Sequence, residues 1–205
     1  MIIRKKYRVE MGHIVRNCSS ERCAHSMHGH SAVIEVLLEG TKLDNAGMLY
    51  DFGLMKDTIK KFIDMFDHCF VFWNADDPEY IESIKKCSAR WIGLPFNPTA
   101  EMLSIMFMQA INLIISSTKK LNGEASDLHC CGVIYHETES GYAQCCPKDV
   151  NTMWAICNFD AFEFSDAVAK EAGDKLGKIW NGDLIDAEPE LKPFKQVDTD
   201  PCRVY

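Results

Sequence analysis

His28-Gly29-His30-Ser31-Ala32-Val33-Ile34-Glu35-Val36-Leu37-Leu38-Glu39 reads as a β-strand. Ala32, Ile34, Val36 and Leu38 recur at every second position, the period at which strand side chains return to one face. The two histidines that open the stretch keep the same spacing, so both imidazoles project from one face. Gly29 between them leaves room for close approach. Upstream, Ile2–Gly12 alternates as well, with Ile3, Tyr7, Val9 and Met11 in one phase and Arg4, Lys6, Arg8 and Glu10 in the other. His13 continues the apolar phase at the strand end. A polar loop, Ile14 to Met27, joins the two. If the strands pair as a hairpin, His13 falls near His28 and His30.

Downstream, Phe52, Met55, Ile59, Phe62, Ile63 and Phe66 recur at three- to four-residue spacing, which predicts a helix over Asp51–Phe66. Asp76–Ala89 is a weaker helix. Thr99–Ser117 is a stronger one, with Asn97-Pro98-Thr99 as its start signal and Glu101 in its first turn. Two strands follow, Asp127–Thr138 and Gly141–Cys146, joined by a tight turn at Glu139-Ser140-Gly141. The order predicts an α+β domain: an antiparallel four-stranded sheet with helices packed on one face.

The chain has 205 residues, 47% of them hydrophobic, and a net charge of −8. That apolar content excludes disorder throughout. An acidic balance argues against nucleic acid as a partner, because phosphate binding needs a basic surface. No uninterrupted run of 18 apolar residues occurs, so no membrane span is expected. The start, MIIRKKYRVE, turns polar after three residues and does not read as a signal peptide, which predicts a cytoplasmic protein. The ten cysteines are then expected as thiols rather than bridges. Residues 1–150 read as the core domain. Residues 151–205 carry 11 Asp and Glu against 6 Lys and Arg and read as an acidic C-terminal extension. One helix is expected there, Asp160–Trp180, before a partly irregular tail.

Three neutral imidazoles with an open fourth position describe a catalytic zinc site, and His13, His28 and His30 are the candidates. Hydrogen-bonded loop histidines are the plainer alternative, and Cys18 and Cys23 are competing ligands. Asp67-His68, at the end of the long helix, pairs a carboxylate with an imidazole, as acid–base chemistry requires. Glu137 shares its phase with His129, Cys131, Val133 and Tyr135. A carboxylate on a largely apolar face is costly unless it meets a cation or a donor-rich ligand.

Together these residues resemble the 6-pyruvoyltetrahydropterin synthase and 6-carboxytetrahydropterin synthase family. The landmarks occur in that family's order over residues 3–147: His13; Cys23 before His28-Gly29-His30; Gly47-Met48 with Asp51-Phe52 and Lys56; Asp67-His68, then Pro98-Thr99-Ala100-Glu101; and Glu137-Thr138. The resemblance implies a tunnelling fold and a homo-oligomer with active sites between subunits. It implies zinc on His13, His28 and His30, binding oxygens of the side chain of 7,8-dihydroneopterin triphosphate. Cys23, or Cys18 in its place, would act as the base, and Asp67 and His68 as a proton relay. Glu137 would anchor the pterin, Thr99 and Glu101 would brace the ring, and Arg16 and Arg22 would meet the triphosphate. Three functions follow: a carbon–carbon lyase making 6-carboxytetrahydropterin towards queuosine, a 6-pyruvoyltetrahydropterin synthase eliminating triphosphate, or a non-catalytic zinc-containing pterin binder. The loop before His28 resembles the bacterial branch, which favours the first. The stretch from His68 to Pro98 is longer than the family's and implies an added helix packed by Trp73 and Trp91.

Overall fold

The computed structural model describes residues 1–152 and 159–180. The two alternating stretches form long strands, β1 (Ile2–His13) and β2 (His28–Glu39), paired antiparallel from Ile2 opposite Glu39 to His13 opposite His28. β5 (His129–His136) pairs antiparallel with β2, and β6 (Tyr142–Cys145) with β5. These are the four expected strands, side by side and antiparallel.

Three further strands enlarge the sheet to seven, in the order β6-β5-β2-β1-β3-β4-β7. β3 (Cys69–Trp73) runs parallel to the end of β1, and β4 (Trp91–Leu94) runs parallel to β3. β7 (Glu163–Phe164) pairs antiparallel with β4. The sheet is therefore mixed rather than wholly antiparallel. The added strands escape a periodicity reading because Cys69-Phe70-Val71-Phe72-Trp73 is apolar on both faces and does not alternate. The long stretch before Pro98 holds the expected helix, α3 (Pro78–Cys87), between these strands. The Asp77 carboxylate caps it by accepting from Glu79 N and Tyr80 N. Trp91 packs against Phe72, and the Lys85 ammonium lies 5.0 Å from the Trp91 ring centroid.

The helices cover the face that carries Tyr7, Val9, Ala32, Ile34 and Val36. α4 (Ala100–Ser117) begins where the start signal places it, with Thr99 as its cap accepting from Met102 N. By length and composition α4 could cross a membrane, but most of it is buried against the sheet, as a core helix is. The expected helix Asp51–Phe66 is not uniform. A wide π-type turn, Lys56–Lys60, precedes α2 (Lys61–Asp64). The Thr58 hydroxyl donates to the Leu54 carbonyl at 2.9 Å and so competes for the oxygen that an α-helical amide would use. Phe52, expected on the apolar face, is 47% exposed, with the Lys5 ammonium over its ring. Phe62, Phe66, Phe107 and Tyr135 pack ring against ring beneath the sheet.

Cys131 also departs from its expected phase. The pairing of β2 and β5 is irregular at Leu37/Leu38, and one extra residue is taken up on β5. Cys130 is buried instead, and Cys131 is half-buried.

Beyond β6 come α5 (Pro147–Thr152) and, after residues outside the description, a single 3-10 turn at Phe159–Ala161. The expected helix Asp160–Trp180 starts later, as α6 (Asp166–Trp180), because β7 intervenes. Gly173, at φ 61°, divides α6 into two helical pieces, a conformation that suits glycine. The partly irregular tail expected after this helix lies outside the described residues.

Candidate metal centre and acid–base pair

The hairpin register places His13 directly opposite His28, with His30 two residues on along β2. Their ring centroids lie 4.7, 5.2 and 5.2 Å apart. Close approach of the two strands is tight here. A Cβ on Gly29 would stand 3.0 Å from the Met11 carbonyl oxygen, so only glycine fits without a shift.

One candidate ligand atom from each histidine lies within 4.8 Å of the other two, the only such cluster of three among the described residues. Neither Cys18 nor Cys23 belongs to it. His13 is fully buried, and its Nδ1–H donates to the Pro98 carbonyl at 2.8 Å. The Nδ1–H of His28 donates to the Ser26 carbonyl at 2.9 Å. Carbonyls only accept, so in both rings the proton is held on Nδ1 and the Nε2 lone pair is left available. Nε2 of His13 and of His30 is buried without a hydrogen-bond partner. Burial pushes the His13 imidazole down to about 4, against a smaller opposing pull from the Pro98 carbonyl. His30 is lowered too, by burial first. Neutral imidazoles with unpartnered, converging nitrogens are the donor set a divalent transition metal takes, so the residues present fit such an ion.

Glu137 joins this cluster. Its Oε1 lies 3.5 Å from His13 Nε2 and 3.8 Å from His30 Nε2. The phase argument grouped it with Val133 and Tyr135, and the turn after β5, where Glu137 N donates to the Gly141 carbonyl, brings it over the histidines.

Asp67 and His68 do form a pair: His68 Nδ1–H donates to Asp67 Oδ2 at 2.9 Å. They do not stand among the three histidines. Asp67 Oδ1 accepts from Glu10 N at 2.8 Å, and His68 N donates to the Glu10 carbonyl at 2.7 Å. The pair therefore lies along the β1 edge facing β3, three residues before His13, or about 10 Å along the strand. Burial alone would raise the Asp67 carboxyl, but the Glu10 amide and the His68 ring outweigh it and hold it below its ordinary value. A cleft of about 540 Å³ is lined by Glu10, Gly12, His28, His30 and Ser31, with His68 at its side.

The loop between β1 and β2 carries a short helix, α1 (Glu21–His25), on which Cys23 is half-buried and Arg22 is exposed. Cys18 donates to the Ser20 carbonyl. Arg16 is fully engaged within the chain. Its Nε meets both Asp76 oxygens at 2.9 and 2.8 Å, its Nη1 donates to the Ala24 carbonyl, and its guanidinium stacks 4.8 Å over Tyr80. Asn97 grips the Arg16 backbone at both ends, accepting from its N–H at 3.1 Å and donating to its carbonyl at 2.6 Å. Asp76 and Asn97 are site supports that sequence reading missed; Asn97 was visible there only as a helix start signal. Thr99 is occupied as the α4 cap, and Glu101 is exposed on the first turn of that helix.

The fold and the cluster together define an α+β protein with an open, metal-compatible three-histidine centre. The family model for 6-pyruvoyl tetrahydropterin synthase matches residues 2–148, and the chain belongs to that family of tunnelling-fold lyases. It is 40% identical over 150 residues, 73% of this chain and 74% of the relative, to 6-carboxy-5,6,7,8-tetrahydropterin synthase of Helicobacter pylori strain J99. The protein of the same name from H. pylori strain 26695 is 39% identical over the same coverage. Among solved structures, an uncharacterized protein from Wolinella succinogenes superposes with a TM-score of 0.59. It is 20% identical, and the match covers 72% of this chain and 98% of that one.

Proposed function

We propose that this protein is a zinc-dependent 6-carboxy-5,6,7,8-tetrahydropterin synthase. It would act on 7,8-dihydroneopterin triphosphate and release acetaldehyde and triphosphate, a step towards 7-deazaguanine compounds such as queuosine. The observation that carries this reading is the histidine cluster, in which the Pro98 and Ser26 carbonyls set the tautomers of His13 and His28 and Nε2 of His13 and His30 is buried without a hydrogen-bond partner. The name of the relatives, 6-carboxy-5,6,7,8-tetrahydropterin synthase, supports a pterin product of this class.

His13, His28 and His30 hold the zinc. When bound, the ion supplies positive charge that stabilises negative charge developing on the substrate's side-chain oxygens. Cys23, as a thiolate, takes a proton from that side chain. Arg16 and Asn97 hold the loop that carries this cysteine, through the Ala24 carbonyl and the Arg16 backbone. Asp67 holds the Nδ1 proton of His68, which leaves Nε2 to receive or return a proton. Glu137 accepts hydrogen bonds from the pterin N–H edge. Arg22 remains the candidate contact to the triphosphate, since the Arg16 guanidinium is engaged by Asp76. The separation of Asp67 and His68 from the histidines supports a homo-oligomer in which this pair completes the site of a neighbouring copy.

A second reading, 6-pyruvoyltetrahydropterin synthase, is favoured by the name of the matching family model. Incubating the zinc-loaded protein with 7,8-dihydroneopterin triphosphate and identifying products by mass spectrometry separates the two. Acetaldehyde with the carboxylated pterin supports the first; 6-pyruvoyltetrahydropterin supports the second. Neither product would refute both.

A further inference from the structure

Arg90, immediately before β4, reaches back to the end of the helix that leads into Asp67. Its Nε donates to the Asp67 carbonyl at 3.1 Å, and its Nη2 to the carbonyls of Met65 and Asp64 at 3.2 and 3.4 Å. These carbonyls close the end of the helix, where the Asp64 oxygen also accepts from Asp67 N and the Met65 oxygen from Cys69 Sγ. Its Nη1 donates to Glu171 Oε2 at 2.6 Å. Glu171 belongs to α6, beyond the residues 2–148 that the family model matches. One small cleft is walled by Asp67, His68, Arg90 and Glu171 together.

His68 sits at φ 55°, a left-handed backbone that is unfavourable for a residue with a side chain. Such a conformation persists where the surroundings over-determine it. The Asp67 carbonyl lies in the peptide plane that enters His68, so the Arg90 bond bears directly on that φ. The Glu10 carbonyl holds the His68 amide from the other side.

The extension is fastened next to Arg90, at Trp91. Ser165 N donates to the Trp91 carbonyl at 3.1 Å, and Trp91 N donates to Ser165 Oγ at 3.2 Å. Val168 is fully buried in the core. Arg90 thus links a well-seated α6 to the turn that aims His68.

We infer that the C-terminal extension is a positioning element for the Asp67–His68 pair, acting through Glu171 and Arg90; this rests on the catalytic role proposed for that pair. Glu171 and Arg90 touch no reacting atom in this scheme. An ion pair this exposed adds little to stability. Its removal therefore separates positioning from folding.

The test uses the full-length, zinc-loaded protein and the variants Glu171→Ala, Glu171→Gln and Arg90→Lys. Glu171→Ala should keep zinc content, melting temperature and KM for 7,8-dihydroneopterin triphosphate, and Arg90→Lys, which also releases the three carbonyls, should keep zinc content and KM. Their kcat should fall about tenfold or more, the effect of a misplaced catalytic group. Glu171→Gln, which keeps an acceptor, should recover most of the rate. In histidine-labelled protein, the His68 ring resonances should move in Glu171→Ala while those of His129, at the far end of β5, stay. Wild-type kcat together with unmoved His68 resonances in Glu171→Ala overturns the inference. If the unmodified protein shows no turnover, the proposed function fails, and the resonances alone decide the positioning role.

Discussion

The Nδ1–H of His13 donates to the Pro98 carbonyl at 2.8 Å, across 85 residues of chain. Pro98 immediately precedes the cap of α4, so the helix that forms the core also sets the tautomer of the deepest histidine. His13→Ala should lose zinc stoichiometry, measured by elemental analysis of dialysed protein. A cavity at this fully buried position should also cost stability, about 1–3 kcal/mol. Retained zinc would exclude His13 as a ligand.

Cys23→Ala should abolish turnover while zinc stays bound, because neither thiol of the loop belongs to the three-histidine cluster. Zinc loss in that variant would make Cys23 a ligand. Cys18→Ala, assayed alongside, should remain active; its inactivity would transfer the base to Cys18.

Glu137→Gln should weaken pterin binding by about 1–3 kcal/mol, the cost of exchanging charged for neutral hydrogen bonds. Isothermal titration with a pterin analogue measures it. Unchanged affinity would remove Glu137 as the anchor.

Arg16→Ala should free the loop that carries Cys23. The guanidinium ties the Ala24 carbonyl, one residue beyond Cys23, to Asp76 and Tyr80. Alkylation of Cys23 by iodoacetamide should therefore accelerate in Arg16→Ala and in Asp76→Ala. Unchanged alkylation rates would show that the loop holds its shape without this clamp.

Glu35 should make stability fall in acid. It is buried on the outer face of the sheet, where it meets Lys6 at 2.8 Å, Arg4 at 3.0 Å and His136 at 2.9 Å. The Lys6 ammonium foremost holds its carboxyl below the usual value, against the opposing effect of burial. A depressed acid contributes stability above its unfolded value, and that contribution is lost as pH falls through the folded value. The melting-temperature gap between the unmodified protein and Glu35→Gln should be steady above the ordinary carboxylate range and close as pH falls through and below it. A gap that does not change with pH would contradict the assignment.

Much of the frame was legible because it is local. Alternation defined β1 and β2, and a proline-led start signal with Glu101 in the first turn defined α4. The period of two also forecast that His13, His28 and His30 share a face, since antiparallel pairing brings in-phase residues at adjoining strand ends together. β3 and β4 were not legible, because strands buried on both faces carry no alternation. The slip from Cys131 to Cys130 was hidden too: one extra residue in a ladder leaves no mark in the pattern.

The sequence by itself determined the two-strand platform, the core helix and the three converging imidazoles, because each follows from the fixed geometry of neighbouring residues along one chain direction. Only the tertiary structure decided that Glu137 reaches the histidines, that Arg16 is turned to Asp76, and that Asp67 and His68 stand along β1 away from the cluster. Those outcomes depend on which distant carbonyls and carboxylates meet in space, and spacing along the chain carries no information about that.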